Sequence, residues 1–123
     1  MERIEEFAVE GESFVYIDFS GFKSLDDYVE LIEAVKPVIA KYPEYSLNTI
    51  SNIENIRLDT DVKEVFTRYL QHNRPYIKHG ILIGLDGIKK TMANTVIRLS
   101  GRKNVFFAYT REQAIEWVLK RKG

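Results

Sequence analysis

The sequence predicts one α/β domain, built on a mixed, mainly parallel sheet of about five strands with about four helices. Segments rich in aromatic and β-branched residues alternate with segments of helical periodicity, in the order β-β-α-β-α-β-α-β-α. Strands that alternate with helices pair in parallel through right-handed crossovers, and the opening hairpin adds an antiparallel edge. The length of 123 residues fits a single domain, residues 1–123, which can bury a core without disulfides.

The first third of the chain predicts a hairpin followed by a long helix. Residues 3–9 alternate weakly, residues 10–12 carry the turn signal Glu-Gly-Glu, and residues 14–19 have the composition of a strand. Ser24 is typical of a helix N-cap, and apolar residues follow it at helical spacing. Because proline lacks a backbone N–H, we expect this helix to kink or restart at Pro37.

The middle of the chain predicts a strand, a helix and a further strand. Residues 45–53 form the weaker strand candidate, because asparagine and serine interrupt its apolar residues. Residues 59–61, Asp-Thr-Asp, open the next helix, whose apolar stripe extends to Leu70. Residues 76–85 form a strong strand candidate.

The last third predicts a helix, a short strand and a final helix. Asp86 is the expected cap of the first of these helices, and Ser100-Gly101 closes it. We expect four apolar residues to share its inner face: Ile88, Met92, Val96 and Leu99. Residues 105–108 predict the strand, and Thr110 with Gln113 forms a capping box for the last helix.

Composition limits the chemistry that the chain can carry. The absence of cysteine excludes disulfides, a thiol nucleophile and thiolate metal sites, and it favours a reducing compartment. No apolar run approaches the ~20 residues of a membrane span, and the acidic start does not resemble a signal peptide. We therefore expect a cytoplasmic protein without a transmembrane segment.

The charges cancel in total but are unevenly distributed. Residues 1–33 contain ten acidic and two basic residues, whereas residues 87–111 contain six basic residues and no acid. This asymmetry indicates an anionic partner, head-to-tail association or solvated helix faces on opposite sides of the domain.

The order of elements and several segments resemble the STAS group, the SpoIIAA-like domains related to anti-sigma-factor antagonists. The segments that carry the resemblance are "FVYIDFSG", "IDFSGFKSLDDY", "LNTISNIENIRLDTDVKEVF", "HNRPYIKHGILIGLDGIKK" and "RLSGR". The resemblance covers nearly the whole chain and is closest to the small stand-alone members of the group, many of which have no assigned function. It implies a SpoIIAA-like fold and a regulatory, protein-binding role.

The resemblance also implies a candidate phosphoacceptor. In antagonist-type domains a partner kinase phosphorylates a serine of an Asp-Ser-Ser-Gly loop at a helix start, and the equivalent segment here is Asp59-Thr60-Asp61. Asp59 matches, Thr60 is a hydroxyl substitute, and Asp61 replaces the second serine, whereas the glycine is missing. A phosphate on Thr60 would benefit from the helix N-terminus but would lie beside two carboxylates. The alternative is that Asp59 or Thr60 only caps the helix.

A second candidate site is the turn after residues 76–85. Gly84, Asp86, Gly87, Lys89 and Lys90 combine glycines, a helix start and two cations at the carboxyl end of a parallel strand, where ligands often bind. This predicts an anion-binding or phosphate-binding turn. The alternative is a structural turn followed by solvated lysines, because the G-x-x-G spacing is a weak signal.

No other constellation predicts a reaction. His72 and His79 lack a third metal ligand nearby in sequence. Ser20 and Ser100 lie in Ser-Gly turns and have no evident general base. We therefore expect no metal, no cofactor and no catalytic residue. Asp18, a carboxylate within an apolar strand, is the remaining possibility for a functional side chain, and the alternative is that it faces solvent because side chains alternate along the strand.

We therefore expect a non-catalytic regulatory or protein-interaction module, with a protein partner and no nucleic-acid partner. The alternatives are the anion-binding domain and a carrier of a small apolar ligand or lipid, with a pocket lined by aromatic residues and Met92. A homodimer is also expected, and three tyrosines are the candidate anchors: Tyr42, Tyr45 and Tyr109.

Overall fold

The computed structural model describes residues 2–121 and shows an α/β fold with one five-stranded mixed sheet. The elements in chain order are β1 (Ile4–Val9), β2 (Glu12–Asp18), α1 (Leu25–Ile39), β3 (Leu47–Asn52), α2 (Thr60–Asn73), β4 (Ile77–Ile83), α3 (Gly87–Ser100), β5 (Val105–Ala108) and α4 (Arg111–Lys120). The predicted order of elements and the mainly parallel sheet are confirmed.

The strands lie side by side in chain order, β1-β2-β3-β4-β5, so each connection joins neighbouring strands. β1 pairs antiparallel with β2 through a two-residue turn in which Glu10 and Gly11 both have positive φ. The other three pairings are parallel, and one register shift lies at the start of the β3–β4 pairing. Because β2, β3, β4 and β5 are parallel, their carboxyl ends form one edge of the sheet.

The sheet is packed on both faces, and each face has its own apolar cluster. The larger cluster joins α1, α2 and α3 to one face, with Val15, Ile17 and Phe19 of the β2 region completely buried. The smaller cluster joins α4 to the other face through Ala114 and Val118. This division follows the alternation of side chains along each strand, since neighbouring residues face opposite sides.

The helix boundaries agree with the caps that the sequence predicts. The side chains of Ser24, Asp59, Asp86 and Thr110 each accept a hydrogen bond from the backbone N–H three residues later. Gly101 ends α3 in the left-handed conformation, with φ of 77°.

Two sequence expectations differ from the structure. Of the kink or restart expected at Pro37, the restart is absent, because this residue lies in the last turn of α1 and two helical residues follow it. The inner face of α3 is also different: Ile88 is 79% exposed and Leu99 is 65% exposed, whereas Ala93 and Val96 are buried.

Among residues 2–121, no helix is long and apolar enough to cross a membrane.

Candidate functional site

The predicted phosphoacceptor segment lies at the N-terminus of α2. Asp59 is the N-cap residue: its Oδ1 accepts from the N–H of Val62 at 3.0 Å, and its Oδ2 lies 2.6 Å from Nε of Arg57. Thr60 and Asp61 are exposed in the first turn of the helix. Asp59 therefore has a structural role, the hydroxyl of Thr60 is accessible, and phosphorylation of Thr60 stays a prediction.

The predicted anion-binding turn connects β4 to α3. Asp86 caps α3 by accepting a hydrogen bond from the N–H of Lys89 at 2.9 Å. Its carboxylate thus occupies the place in which an anion would accept bonds from the first turn of the helix. Gly84 has a positive φ of 88° and Gly87 is the first helical residue.

Both lysines of this turn contact other parts of the chain. Nζ of Lys89 donates to the carbonyl oxygen of Ile56 at 2.6 Å, and Nζ of Lys90 lies 5.1 Å from the ring centroid of Phe107. The first contact ties α3 to the loop between β3 and α2. The ammonium groups therefore stabilise the turn, and anion binding there stays a prediction.

The two histidines lie in separate surroundings. Nδ1 of His72 is 3.2 Å from Oδ1 of Asn73, and Nδ1 of His79 is 2.9 Å from Oδ1 of Asn48. His79 also packs edge-on against Trp117, with ring centroids 5.2 Å apart. Within residues 2–121, no group of three histidine, aspartate or glutamate side chains is arranged to hold a metal ion.

A polar network under α4 was not foreseen from the sequence. Asn48, which is fully buried, donates from Nδ2 to Glu12 at 3.2 Å and to the carbonyl oxygen of Ser13 at 3.0 Å. Glu12 in turn forms an ion pair with Lys78 at 3.1 Å. Burial, together with the positive charge of Lys78, lowers the pKa of His79. An asparagine within a strand was the one signal of this network in the sequence.

An apolar cavity of about 50 Å³ lies between the sheet, α2 and α3. Its lining residues are Phe19, Ser51, Ile53, Ile56, Leu58, Phe66, Tyr69, Leu70, Leu82, Ala93, Val96 and Ile97. Three aromatic residues thus line it, whereas Met92 packs at the edge of the core. Pockets that enclose drug-sized ligands usually measure ~300–1,000 Å³, so this cavity is too small for a lipid chain.

An open groove of about 480 Å³ runs along the outside of α2 and α3. Nine residues line it: Thr60, Lys63, Glu64, Thr67, Arg68, Gln71, Thr95, Val96 and Leu99. The two exposed aliphatic residues of α3, Ile88 and Leu99, lie eleven positions apart, which places them on nearly the same side of the helix and ~16 Å apart. We call Ile88, Thr95 and Leu99 the α3 outer face.

The three tyrosines expected to anchor a homodimer are in different situations. Tyr42 is half-buried, and its hydroxyl donates to Oε1 of Glu6 at 2.8 Å, so it is not a free anchor. Tyr45 is 62% exposed and precedes β3, whereas Tyr109 is 80% exposed and follows β5. Because β3 and β5 are parallel, these two residues lie at opposite ends of the sheet, and the homodimer stays a prediction.

Comparison with known proteins gives no identification, since no protein-family model and no curated protein matches this chain. The resemblance to SpoIIAA-like domains therefore stays a prediction. The α2–α3 groove and the α3 outer face are the features that the fold leaves open for a partner.

Proposed function

We propose that this domain is a non-catalytic protein-interaction module of the SpoIIAA-like type, and that its partner binds the α3 outer face and the adjoining groove. The observation that carries the proposal is the exposure of Ile88 and Leu99, at 79% and 65%. A single exposed aliphatic side chain is ordinary on a protein surface. Two on one side of one helix, one of them lining a groove, form the apolar anchors that a partner requires.

The groove fits an amphipathic helix. Its α2 wall extends from Thr60 to Gln71, which corresponds to three turns and ~16 Å of helix. The apolar residues of its lining, Val96 and Leu99, lie on α3, so a partner helix would turn its apolar face toward α3 and its polar face toward the α2 wall. The partner helix would place two apolar side chains against Ile88 and Leu99.

Charge defines the rest of the partner's chemistry. Lys63 and Arg68 line the α2 wall, and α3 contains Arg98 next to Leu99 and no acidic residue. Glu64 is the one acid that lines the groove, and it is paired with Arg68 at 2.6 Å. We therefore infer that the partner helix is acidic beside its apolar face, which would mainly increase the association rate and the specificity.

Thr60 lines the same groove, which supports a regulatory role. A phosphate would add a charge of about −1.5 to −2 at one end of the groove and would repel an acidic partner. This agrees with the role that the SpoIIAA-like resemblance implies for the segment. The carrier alternative has less support, because the internal cavity measures about 50 Å³.

Binding by two double variants tests the proposal. Ile88→Ser/Leu99→Ser removes the α3 anchors, and Tyr45→Ser/Tyr109→Ser is the matched control, since it replaces two equally exposed apolar side chains elsewhere. A partner captured from an extract of the source organism by the wild-type protein is purified, and its affinity for each variant is measured by calorimetry. We expect a loss of roughly 10- to 100-fold for the α3 variant and less than about 2-fold for the control.

Two results would contradict the proposal. One is a purified partner that binds the α3 variant as tightly as the wild-type protein but loses affinity for the control. The other is substrate turnover by the purified domain, which would show that it is an enzyme. Replacement of Thr60 by glutamate should weaken the binding of an acidic partner without changing the stability of the domain.

A further inference from the structure

The outer surface of α1 is acidic. All four acidic residues of this helix are exposed: Asp26, Asp27, Glu30 and Glu33. The single basic residue of the helix, Lys36, is paired with Glu33 at 3.1 Å. The other three carboxylates form no ion pair among residues 2–121. α1 therefore presents negative charge that the described part of the chain does not neutralise.

An exposed aliphatic residue lies within this acidic surface, as one does on α3 among cations. Val29 is 38% exposed, and its neighbours on the helix surface include Asp26, three positions before it, and Glu33, four positions after it. On α3, Leu99 is 65% exposed and follows Arg98, an exposed cation that has no ion pair within the described residues. The two helices thus each present an apolar side chain beside charges, and the charges have opposite signs.

The acidic and the basic surface belong to one layer of helices. α1, α2 and α3 pack on the same face of the sheet, and α2 contacts both of the others, so α1 and α3 lie on opposite sides of α2. The α2 wall of the groove adds Lys63, for which no ion pair is found in the range 2–121. The outer surface of the layer is therefore negative on the α1 side and positive on the α3 side.

We propose that the partner on the α3 outer face is a second copy of this chain, which places the acidic surface of α1 there. The inference rests on the proposed function, since it names the occupant of the same surface. A two-fold axis along α2 makes the contact twice, because α1 of each copy then lies over α3 of the other. Val29 and Pro37, both exposed and ~12 Å apart along α1, are the apolar side chains for this contact.

The helical layer has the area that such a dimer requires. Three helices, each about 10 Å wide and about 20 Å long, present roughly 600 Å² from each copy, or about 1,200 Å² in total. This area is at the lower end of specific interfaces. Few apolar side chains take part, so the dimer should be weak and should depend on the pairing of opposite charges.

Charge reversal on the two surfaces tests the dimer by sedimentation equilibrium. Glu30→Lys/Glu33→Lys makes α1 basic, and Lys63→Glu/Arg98→Glu makes the opposing surface acidic. Each variant alone should dimerise at least about 10-fold more weakly than the wild-type protein, because like charges then meet in both contacts. An equimolar mixture of the two variants should associate as a heterodimer, with an affinity within about 3-fold of the wild-type dimer, because both contacts again join opposite charges.

Glu112→Lys/Glu116→Lys is the matched control for the α1 variant. Both glutamates are exposed on α4, at the other face of the sheet, and Glu116 is paired with Lys120 as Glu33 is with Lys36. The control changes the net charge by the same amount and also breaks one exposed ion pair. It should weaken the dimer by less than about 2-fold, since distant exposed charges are screened.

The wild-type protein alone also tests the inference, whether or not the variants fold. Its dimer should dissociate as the salt concentration rises, and a wild-type dimer that is unchanged at about 1 M salt would overturn the charge pairing. A wild-type protein that is monomeric at about 1 mM and low salt would overturn the dimer itself.

The reversal variants can overturn the inference in two further ways. One is a mixture of the two folded variants that does not associate, and the other is a control that weakens the dimer as much as the α1 variant does. These results concern the occupant only. The proposed function fails separately, when a partner captured from an extract binds Ile88→Ser/Leu99→Ser as tightly as the wild-type protein.

Discussion

Gly84 lies directly against the backbone of Glu54, at the carboxyl edge of the sheet. A Cβ at position 84 would lie 2.8 Å from Cβ of Glu54 and 2.9 Å from its backbone nitrogen. Gly84 also has a φ of 88°, which side chains other than glycine rarely adopt. The glycine therefore allows the chain after β4 to pass close to the chain after β3, and this explains part of the G-x-x-G pattern without a ligand.

Substitution of the two glycines of this pattern should have unequal effects. Gly84→Ala should lower the free energy of unfolding by about 2–3 kcal/mol, because it adds both a contact with backbone atoms and strain at positive φ. Gly87→Ala is the matched control, since nothing lies within 4 Å of its Cβ position. At the start of α3 it should change stability by less than about 0.5 kcal/mol or raise it slightly. Urea unfolding of both variants checks this, and an unchanged midpoint for Gly84→Ala would contradict the close approach.

Two buried tyrosines offer a second comparison. The hydroxyl of Tyr28 donates to the carbonyl oxygen of Phe22 at 2.8 Å and accepts from the N–H of Arg57 at 2.9 Å, so it joins α1 to the loop before α2. Tyr28→Phe leaves both backbone groups without this partner and should cost about 1–3 kcal/mol of unfolding free energy. Tyr69→Phe removes a buried hydroxyl for which no hydrogen bond is found among residues 2–121, and it should be neutral or stabilising. Urea unfolding measures both changes. If Tyr28→Phe and Tyr69→Phe lowered the free energy of unfolding equally, the hydrogen bonds of the Tyr28 hydroxyl would not account for the cost of its removal.

Local sequence signals were sufficient for the fold because they are strong at the boundaries of the elements. Ser24, Asp59, Asp86 and Thr110 are all N-caps in the structure, as their positions before apolar stripes indicate. The strand at Val105–Ala108 also has the bounds that its composition predicts. These features depend on neighbouring residues only, which is why the order of elements could be derived without knowledge of tertiary contacts.

The errors concern contacts that depend on the whole fold. Ile88 and Leu99 follow a helical spacing shared with Met92 and Val96, yet a helix on a sheet buries only part of such a stripe. Periodicity gives the spacing of a stripe but not its width, so the exposed aliphatic residues that carry the proposed function were assigned to the core. Arg102 and Asn48 were also not foreseen as interior residues, because nothing in their local sequence marks burial of a polar side chain.

The role of the Asp59-Thr60-Asp61 segment can be separated into capping and signalling by two substitutions. Asp59→Ala removes both the cap to Val62 and the contact with Arg57, so it should lower the free energy of unfolding by about 1–2 kcal/mol. Thr60→Ala changes an exposed side chain for which no hydrogen bond is seen among the described residues, and it should alter stability by less than about 0.5 kcal/mol. Urea unfolding checks the two values. A large loss for Thr60→Ala would show that the hydroxyl has a structural role, which would weaken its candidacy as a phosphoacceptor.

His79 should make the stability of the domain sensitive to mild acid. Burial is the main cause that lowers the pKa of His79 below the ordinary value of 6.5. The positive charges of Lys78 and Arg121 also lower this pKa, whereas the negative charge of Glu12 raises it. When the pH falls through 6.5, the unfolded chain therefore takes up a proton before the folded chain does, and the free energy of unfolding decreases until the pH reaches the folded pKa. Above the unfolded pKa this group contributes no pH dependence.

The variant His79→Gln isolates this contribution, because glutamine keeps an amide N–H that can donate to Oδ1 of Asn48 but does not titrate. Urea unfolding at intervals from pH 7.5 to pH 5 should show a smaller decrease of stability for the variant than for the wild-type protein. The histidine ring resonances in NMR spectra should give a pKa for His79 below that of a histidine in an unstructured peptide. Parallel stability curves for the two proteins, or a measured pKa above the peptide value, would mean that the contact between His79, Asn48 and Trp117 does not exclude the charged ring.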